Sequence, residues 1–204
     1  MKILFVTLEQ SAKENLKVLL KEPFFHNNID KFYTFGMSQE KLPFKDLTNI
    51  KIKSLMGLVD IFKNLYYLFN LRSSLYLVAK ENNFTHIFFI DSFDFSKFYL
   101  NKFKNSSVKY CQLIGPSVFI WRENKAKFIN KYFDQIFSIF EVERKFYNKE
   151  KYSYIGHPLL KNIVLSNNDK FPIKNIGIFL GSRYQEIIPN IPIIAKLIEN
   201  LKRL

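Results

Sequence analysis

Val108-Lys109-Tyr110-Cys111-Gln112-Leu113-Ile114 runs directly into Gly115-Pro116-Ser117-Val118-Phe119-Ile120-Trp121-Arg122, and a helix-patterned run, Glu123 to Phe133, follows. A short apolar run bounded by a turn reads as a strand buried on both faces, and the order strand, turn, helix is the unit of a parallel α/β sheet. The Gly-Pro-Ser turn sets backbone N–H groups and a hydroxyl at the strand's C-terminal edge, where open α/β sheets bind ligands. Trp121, the only tryptophan, and Arg122 add an apolar wall and an anion-seeking fork.

The same alternation extends in both directions. Lys2 to Leu8, Phe32 to Phe35, Thr85 to Asp91, Gln135 to Phe140 and Tyr152 to Ile155 read as strands. Ser11 to Lys21, Gly57 to Asn82, Phe95 to Lys104 and Glu141 to Lys149 read as helices. In Gly57 to Asn82 the residues Leu58, Ile61, Phe62, Leu65, Leu68 and Phe69 fall at helical spacing. Apolar strands separated by helices predict an α/β fold, a doubly wound Rossmann-like parallel sheet, for residues 1–164. Residues 165–204 read differently. Ser166-Asn167-Asn168-Asp169-Lys170 resembles a linker, Asn175 to Leu180 restarts as a strand, and Gly181-Ser182-Arg183 turns from it. The helical pattern beyond contains Pro189 and Pro192, which predict a broken or late-starting helix. One strand and one helix bury no core, so this part reads as the start of an incomplete second domain.

The 204 residues carry a formal net charge of +13. That charge is either a lysine-rich solvated surface or an attraction to an anionic partner. There is no zinc spacing, helix-turn-helix signal or arginine-rich tract, so a membrane surface is favoured over nucleic acid. The single cysteine, Cys111, rules out an internal disulfide, and its apolar setting predicts a buried structural thiol. The N-terminus reads as a strand, not a signal peptide, and no run reaches the roughly 18 apolar residues of a spanning helix. A cytoplasmic protein, soluble or peripherally bound, is expected. Ile52 to Leu77 has two readings: a core helix, or an interfacial patch with Ile61, Phe62, Leu65, Tyr66, Tyr67, Leu68 and Phe69 in the bilayer and Lys53, Lys63 and Arg72 at the headgroups.

Four motifs follow one another: Ile90-Asp91-Ser92-Phe93-Asp94-Phe95, Pro116-Ser117-Val118-Phe119-Ile120-Trp121-Arg122, Tyr154-Ile155-Gly156-His157-Pro158-Leu159, and Phe179-Leu180-Gly181-Ser182-Arg183 with Glu186. In this order and spacing the series resembles the lipid-A-disaccharide synthase family, glycosyltransferases of the two-domain GT-B architecture. The family pattern reads roughly I-D-x-P-D-F, P-S-V-W-A-W-R, F-I-G-H-P and L-P-G-S-R-x-x-E. The resemblance implies an inverting hexosyl transfer from UDP-2,3-diacylglucosamine to 2,3-diacylglucosamine 1-phosphate, giving a β-1,6 disaccharide and UDP. It implies no cofactor and no metal, and a location on the cytoplasmic face of the inner membrane. It also implies that only the first strand and helix of the nucleotide-sugar-binding domain are present. Turnover by this chain then calls for a complementing second chain; a homodimer is also open.

The resemblance assigns roles by position. An inverting transfer needs a base for the acceptor hydroxyl. Asp91, at a strand's C-terminal end, matches the family aspartate proposed for that task; capping of the next helix is the alternative, for which Asp94 is better placed. Glu9 and Ser11 match part of the family's first loop, G-E-x-S-G-D, although both glycines and the aspartate are absent from Leu8-Glu9-Gln10-Ser11-Ala12-Lys13. They bind acceptor or cap the first helix. Pro116, Ser117, Trp121 and Arg122 are assigned to the acceptor, with core packing and a local ion pair as the bland alternative for the last two. Gly181, Ser182, Arg183 and Glu186 are assigned to the donor, the arginine offsetting charge on the leaving UDP. His157 reads as a hinge or structural residue; His26 and His86 lie in other contexts and offer it no metal partnership. Three other classes stay open: a non-catalytic half that binds an acylated phospho-sugar or a membrane, another GT-B or epimerase-like sugar-nucleotide enzyme, and, last, a basic nucleic-acid binder.

Overall fold

A computed structural model describes residues 1–38, 43–53, 62–121, 123–162, 176–181 and 184–201. Gly57, Leu58, Ile61, Arg122, the 166–170 linker, Ser182 and Arg183 lie outside them, as do the side chains of Trp121 and Glu186. The chain divides into two compact units, 1–163 and 164–204.

The first unit is one parallel sheet. Its strands are β1 (Ile3–Thr7), β2 (Phe32–Phe35), β3 (Lys45–Asp46), β4 (His86–Ile90), β5 (Lys109–Leu113), β6 (Gln135–Ser138) and β7 (Tyr152–Tyr154). They lie in the order β3-β2-β1-β4-β5-β6-β7, and every pairing is parallel. The helices are α1 (Gln10–Leu19), α2 (Pro23–His26), α3 (Leu65–Asn82), α4 (Phe93–Phe103), α5 (Val118–Trp121) and α6 (Glu123–Tyr132).

Alternation along the strands separates two cores. Leu4, Val6, Ile87, Phe89 and Tyr110 point to the face covered by α3, α4 and α6, where Leu71, Leu75, Val78, Tyr99, Leu100 and Ile129 meet them. Ile3, Phe5, Ile90 and Leu113 point to the other face, where Ala12, Leu16 and Leu20 close over them. With both faces covered, strands carry apolar residues at nearly every position, and the sheet is doubly wound. Each buried Leu, Ile or Phe side chain contributes about 1.5–3 kcal/mol. Cys111 is part of this interior, and burial pushes its thiol up to about 12, as expected of a structural cysteine.

Several expectations are corrected. Glu141 to Lys149 is not an α-helix; Glu141–Phe146 forms a 3-10 turn, and Glu143 is buried within it. β3, α2 and α5 are additional short elements. β3 forms because Asp46 accepts hydrogen bonds from Thr34 Oγ1 (2.8 Å), the Met37 N–H (3.1 Å) and the Thr48 N–H (3.2 Å), tying the edge of the sheet together. In the second unit residues 176–180 form no strand, having no strand partner among the described residues, and Phe179 is 94% exposed. The helix α7 (Tyr184–Leu201) runs through both prolines. Pro189 and Pro192 are three apart, so the two missing rungs fall on one side and the rest of the ladder is kept.

The long helical pattern divides between its two readings. Leu71, Leu75 and Val78 are buried, whereas Phe62, Leu65, Tyr66 and Phe69 are exposed. The Lys2 ammonium bonds the Asn82 carbonyl, which anchors the end of α3 beside the start of β1. Eighteen helical residues reach about 27 Å, against about 17 Å for a five-residue strand. α3 thus runs alongside α4, with Phe69 against Phe98 and Tyr76 stacked on Phe103, and its apolar first turns lie towards the sheet's C-terminal edge.

Gly36 closes that edge beside β1. It has φ 110°, and a Cβ there would meet the Thr7 carbonyl oxygen at 1.7 Å. Gly36→Ala is expected to lower unfolding stability by about 3 kcal/mol or more, read as a drop in the urea midpoint. A midpoint within experimental error of the parent would contradict this packing.

Candidate functional site

The strand order reverses between β1 and β4. β2 lies outward of β1 on one side and β4 pairs on the other, in register from Ile3↔His86 to Thr7↔Ile90. At such a switch point the connections leave in opposite directions and a crevice opens beyond the strand ends. Glu9 and the start of α1 up to Ser11 border it on one side, and Asp91 with Ser92 on the other.

Two side-chain hydrogen bonds cross the crevice. Ser11 Oγ donates to Asp91 Oδ2 at 3.0 Å, and Ser92 Oγ donates to Glu9 Oε1 at 3.2 Å. Each side supplies one carboxylate and one hydroxyl to the other. Three expected site residues, Glu9, Ser11 and Asp91, are thus brought together from positions about eighty residues apart. Ser11 is steadied from behind, since Asn15 Nδ2 donates to its carbonyl at 2.9 Å. Asp91 is half-buried, so its carboxylate is both fixed and reachable.

The capping alternatives are not what these side chains do. Glu9 and Ser92 stand at the N-caps of α1 and α4, and neither makes a side-chain cap bond. The Phe95 and Ser96 N–H groups go to the Ser92 carbonyl instead, each at 3.1 Å. Asp94, in the first turn of α4, pairs with Lys125 Nζ at 2.8 Å.

The backbone at this edge is strained. Asp91, Ser92 and Ile114 have φ of 55°, 42° and 56°, a left-handed conformation that costs non-glycine residues on the order of 1–3 kcal/mol each. Such strain persists only where surrounding bonds over-determine it. The Asp91 N–H donates to the Leu113 carbonyl and the Ile114 N–H to the Phe137 carbonyl, each at 2.9 Å.

Pro116 and Ser117 sit half-buried in the turn after β5, on the same edge and one strand along from Asp91. α5 follows at once, with Val118 buried and Ile120 63% exposed. Behind this turn lies a polar pair that the sequence reading did not single out. Ser138 Oγ donates to Glu143 Oε2 at 2.5 Å. Burial pushes the Glu143 carboxyl above the ordinary glutamate range, and the Ser138 hydroxyl and the Val118 N–H offset only part of that. His157 Nδ1 accepts the Leu159 N–H at 3.2 Å, a local structural bond. Among the described residues no cluster of His, Cys, Asp or Glu has metal-binding geometry.

In the second unit, Gly181 has φ 107°, a turn that favours glycine, and Asn190 Nδ2 donates to the Leu180 carbonyl at 3.2 Å.

Comparison with known proteins adds to this geometry. A family model described as lipid-A-disaccharide synthetase matches residues 3–204. The chain belongs to the lipid-A-disaccharide synthetase family. Among relatives, the lipid-A-disaccharide synthase of Francisella philomiragia subsp. philomiragia is 29% identical over 182 residues, covering 82% of this chain and 47% of that protein. That of Francisella tularensis subsp. tularensis is 27% identical over 171 residues, covering 78% and 45%. The chain thus spans about half the length of the curated relatives it matches.

Glu143 carries a pH signature. Folding raises its pKa above that of the unfolded chain, so the folded state holds the proton more tightly. Its contribution to stability is complete below about pH 4.3 and is lost as pH rises through the folded value. Urea midpoints of the parent should therefore fall relative to Glu143→Gln as pH is raised from 4 towards neutrality. Parallel curves for the two proteins would contradict the burial argument.

Proposed function

We propose that this chain is the acceptor side of a glycosyltransferase of lipid A biosynthesis. The reaction moves 2,3-diacylglucosamine from UDP to the 6-hydroxyl of 2,3-diacylglucosamine 1-phosphate, with inversion and release of UDP. Residues 1–164 form the acceptor-side domain. Residues 165–204 begin the nucleotide-sugar-binding domain, and the remaining nucleotide contacts come from further polypeptide, continuous with Leu204 or separate. The observation that carries this reading is the Ser11–Asp91 bond at the strand-order reversal. It leaves Asp91 oriented and half-exposed towards the crevice.

Asp91 acts as general base. Ser11 holds one carboxylate oxygen and leaves the other to accept the acceptor hydroxyl proton as the sugar bond forms. Glu9, held by Ser92, accepts hydrogen bonds from acceptor hydroxyl or amide groups. Pro116, Ser117, Trp121 and Arg122 wall the acceptor and offset its phosphate. Gly181, Ser182, Arg183 and Glu186 bind the UDP diphosphate and need no metal. The exposed Phe62 just precedes α3, and the exposed Leu65, Tyr66 and Phe69 lie on its first turns, towards the same edge as the crevice. That placement and the net charge of +13 support docking on an anionic inner-membrane surface from the cytoplasmic side, with acyl chains shared between bilayer and protein. No described helix is long and apolar enough to cross a membrane.

The same patch also favours a second reading, in which the chain binds the acylated phospho-sugar without turning it over. Saturable acceptor binding with no UDP release from any preparation containing the chain would select that reading. In a preparation that releases UDP, Asp91→Asn should lower kcat by about 10²–10⁴ with little change in acceptor KM. Turnover close to the parent's would end the base assignment.

A further inference from the structure

Gln112 occupies a position where a strand buried on both faces is expected to carry an apolar side chain. It follows Tyr110 by two residues on β5, so it points towards α4, and it is fully buried. A dry amide is costly unless both of its ends are bonded. Here both are. Nε2 donates to the Asp91 carbonyl at 2.9 Å and to the Ile114 carbonyl at 3.4 Å, while Oε1 accepts from Ser96 Oγ at 3.3 Å. The orientation is set by chemistry, because two carbonyl oxygens can be satisfied only by the NH₂ end. Ser96 Oγ also lies 2.8 Å from the Phe93 carbonyl, which fixes it to the first turn of α4.

The two carbonyls held by this amide belong to Asp91 and Ile114, both with positive φ. By alternation, Asp91 would continue the Ile87 and Phe89 face, towards α3 and α4. Its carboxylate instead reaches Ser11, at the start of α1, which packs on the opposite face. The left-handed turn makes that change of direction, and Gln112 bonds the carbonyl that the turn sends inward.

We propose that Gln112 is a positioning residue: by holding the Asp91 and Ile114 carbonyls within the sheet, it aims the Asp91 carboxylate into the crevice. The functional weight of this rests on the reading of Asp91 as the base; the geometric coupling does not. Gln112→Met keeps the length and removes both donors. Ser96→Ala keeps the amide and removes the hydroxyl at its Oε1 end, and it serves if Gln112→Met does not fold.

The test is made on the full 204-residue chain. The ¹³C resonance of the Asp91 side-chain carboxyl is followed from pH 3 to 8 in parent, Gln112→Met and Ser96→Ala, with circular dichroism to establish folding. The proposal expects a folded variant whose Asp91 resonance is displaced, the displacement being smaller in Ser96→Ala. A folded Gln112→Met with an unmoved Asp91 signal overturns it. If Gln112→Met is unfolded, a displaced signal in Ser96→Ala supports the proposal and an unmoved one overturns it. Kinetics separate the two levels. In a UDP-releasing preparation the proposal expects kcat of the folded variant to fall about a hundredfold with acceptor KM nearly constant. An unmoved Asp91 signal beside an inactive Asp91→Asn removes the positioning role and leaves the base. A displaced signal beside a fully active Asp91→Asn removes the base and leaves the coupling.

Discussion

The pairing of β1 with β4 is the constraint on which the rest depends. Five residues on each strand run in parallel register, and the connections beyond them leave in opposite directions. Helices cover both faces of the sheet. Polar residues just beyond the two strands therefore meet through two side-chain hydrogen bonds. Glu9, Ser11, Asp91 and Ser92 owe their proximity to this register. A slip of one residue in either strand would turn its core side chains to the wrong face and separate the four.

Around the crevice, rigidity is concentrated in the backbone. Three non-glycine residues adopt left-handed conformations at the ends of β4 and β5; Asp91 and Ile114 are held by hydrogen bonds to neighbouring strands and from a buried amide, and Ser92 by its bond to Glu9. The two helix starts that border the crevice lack side-chain caps, because the cap residues bond across it instead. Local helix stability is given up for a fixed pair of carboxylates. The exposed apolar side chains at the start of α3 lie towards the same end of the sheet as these carboxylates.

Much of the fold was legible because burial on both faces leaves a strong imprint: Lys2 to Leu8, Thr85 to Asp91 and Val108 to Ile114 are apolar almost throughout. The family motifs then singled out Asp91, Glu9 and Ser11. What escaped had no such imprint. β3 is two residues long, charged, and held by the Asp46 carboxylate. Glu141 to Phe146 has helical composition, but a tight turn buries Glu143 against Ser138. Residues 176–180 have strand composition, yet a strand needs a neighbour as well as a propensity. Gln112 lies within a run read as an apolar strand; its role depends on the carbonyls of Asp91 and Ile114 and a hydroxyl from α4. The Ser11–Asp91 contact joins positions too far apart for any local pattern to reveal.

The central claim is that the Asp91 carboxylate meets the hydroxyl that becomes glycosylated. The most direct measurement is a structure of the chain bound to 2,3-diacylglucosamine 1-phosphate. The account predicts the sugar's 6-oxygen within about 2.6–3.2 Å of an Asp91 carboxylate oxygen, with the acyl chains running towards the exposed turns of α3. A sugar seated away from the β1–β4 strand ends, or with its 6-hydroxyl turned from Asp91, would contradict it.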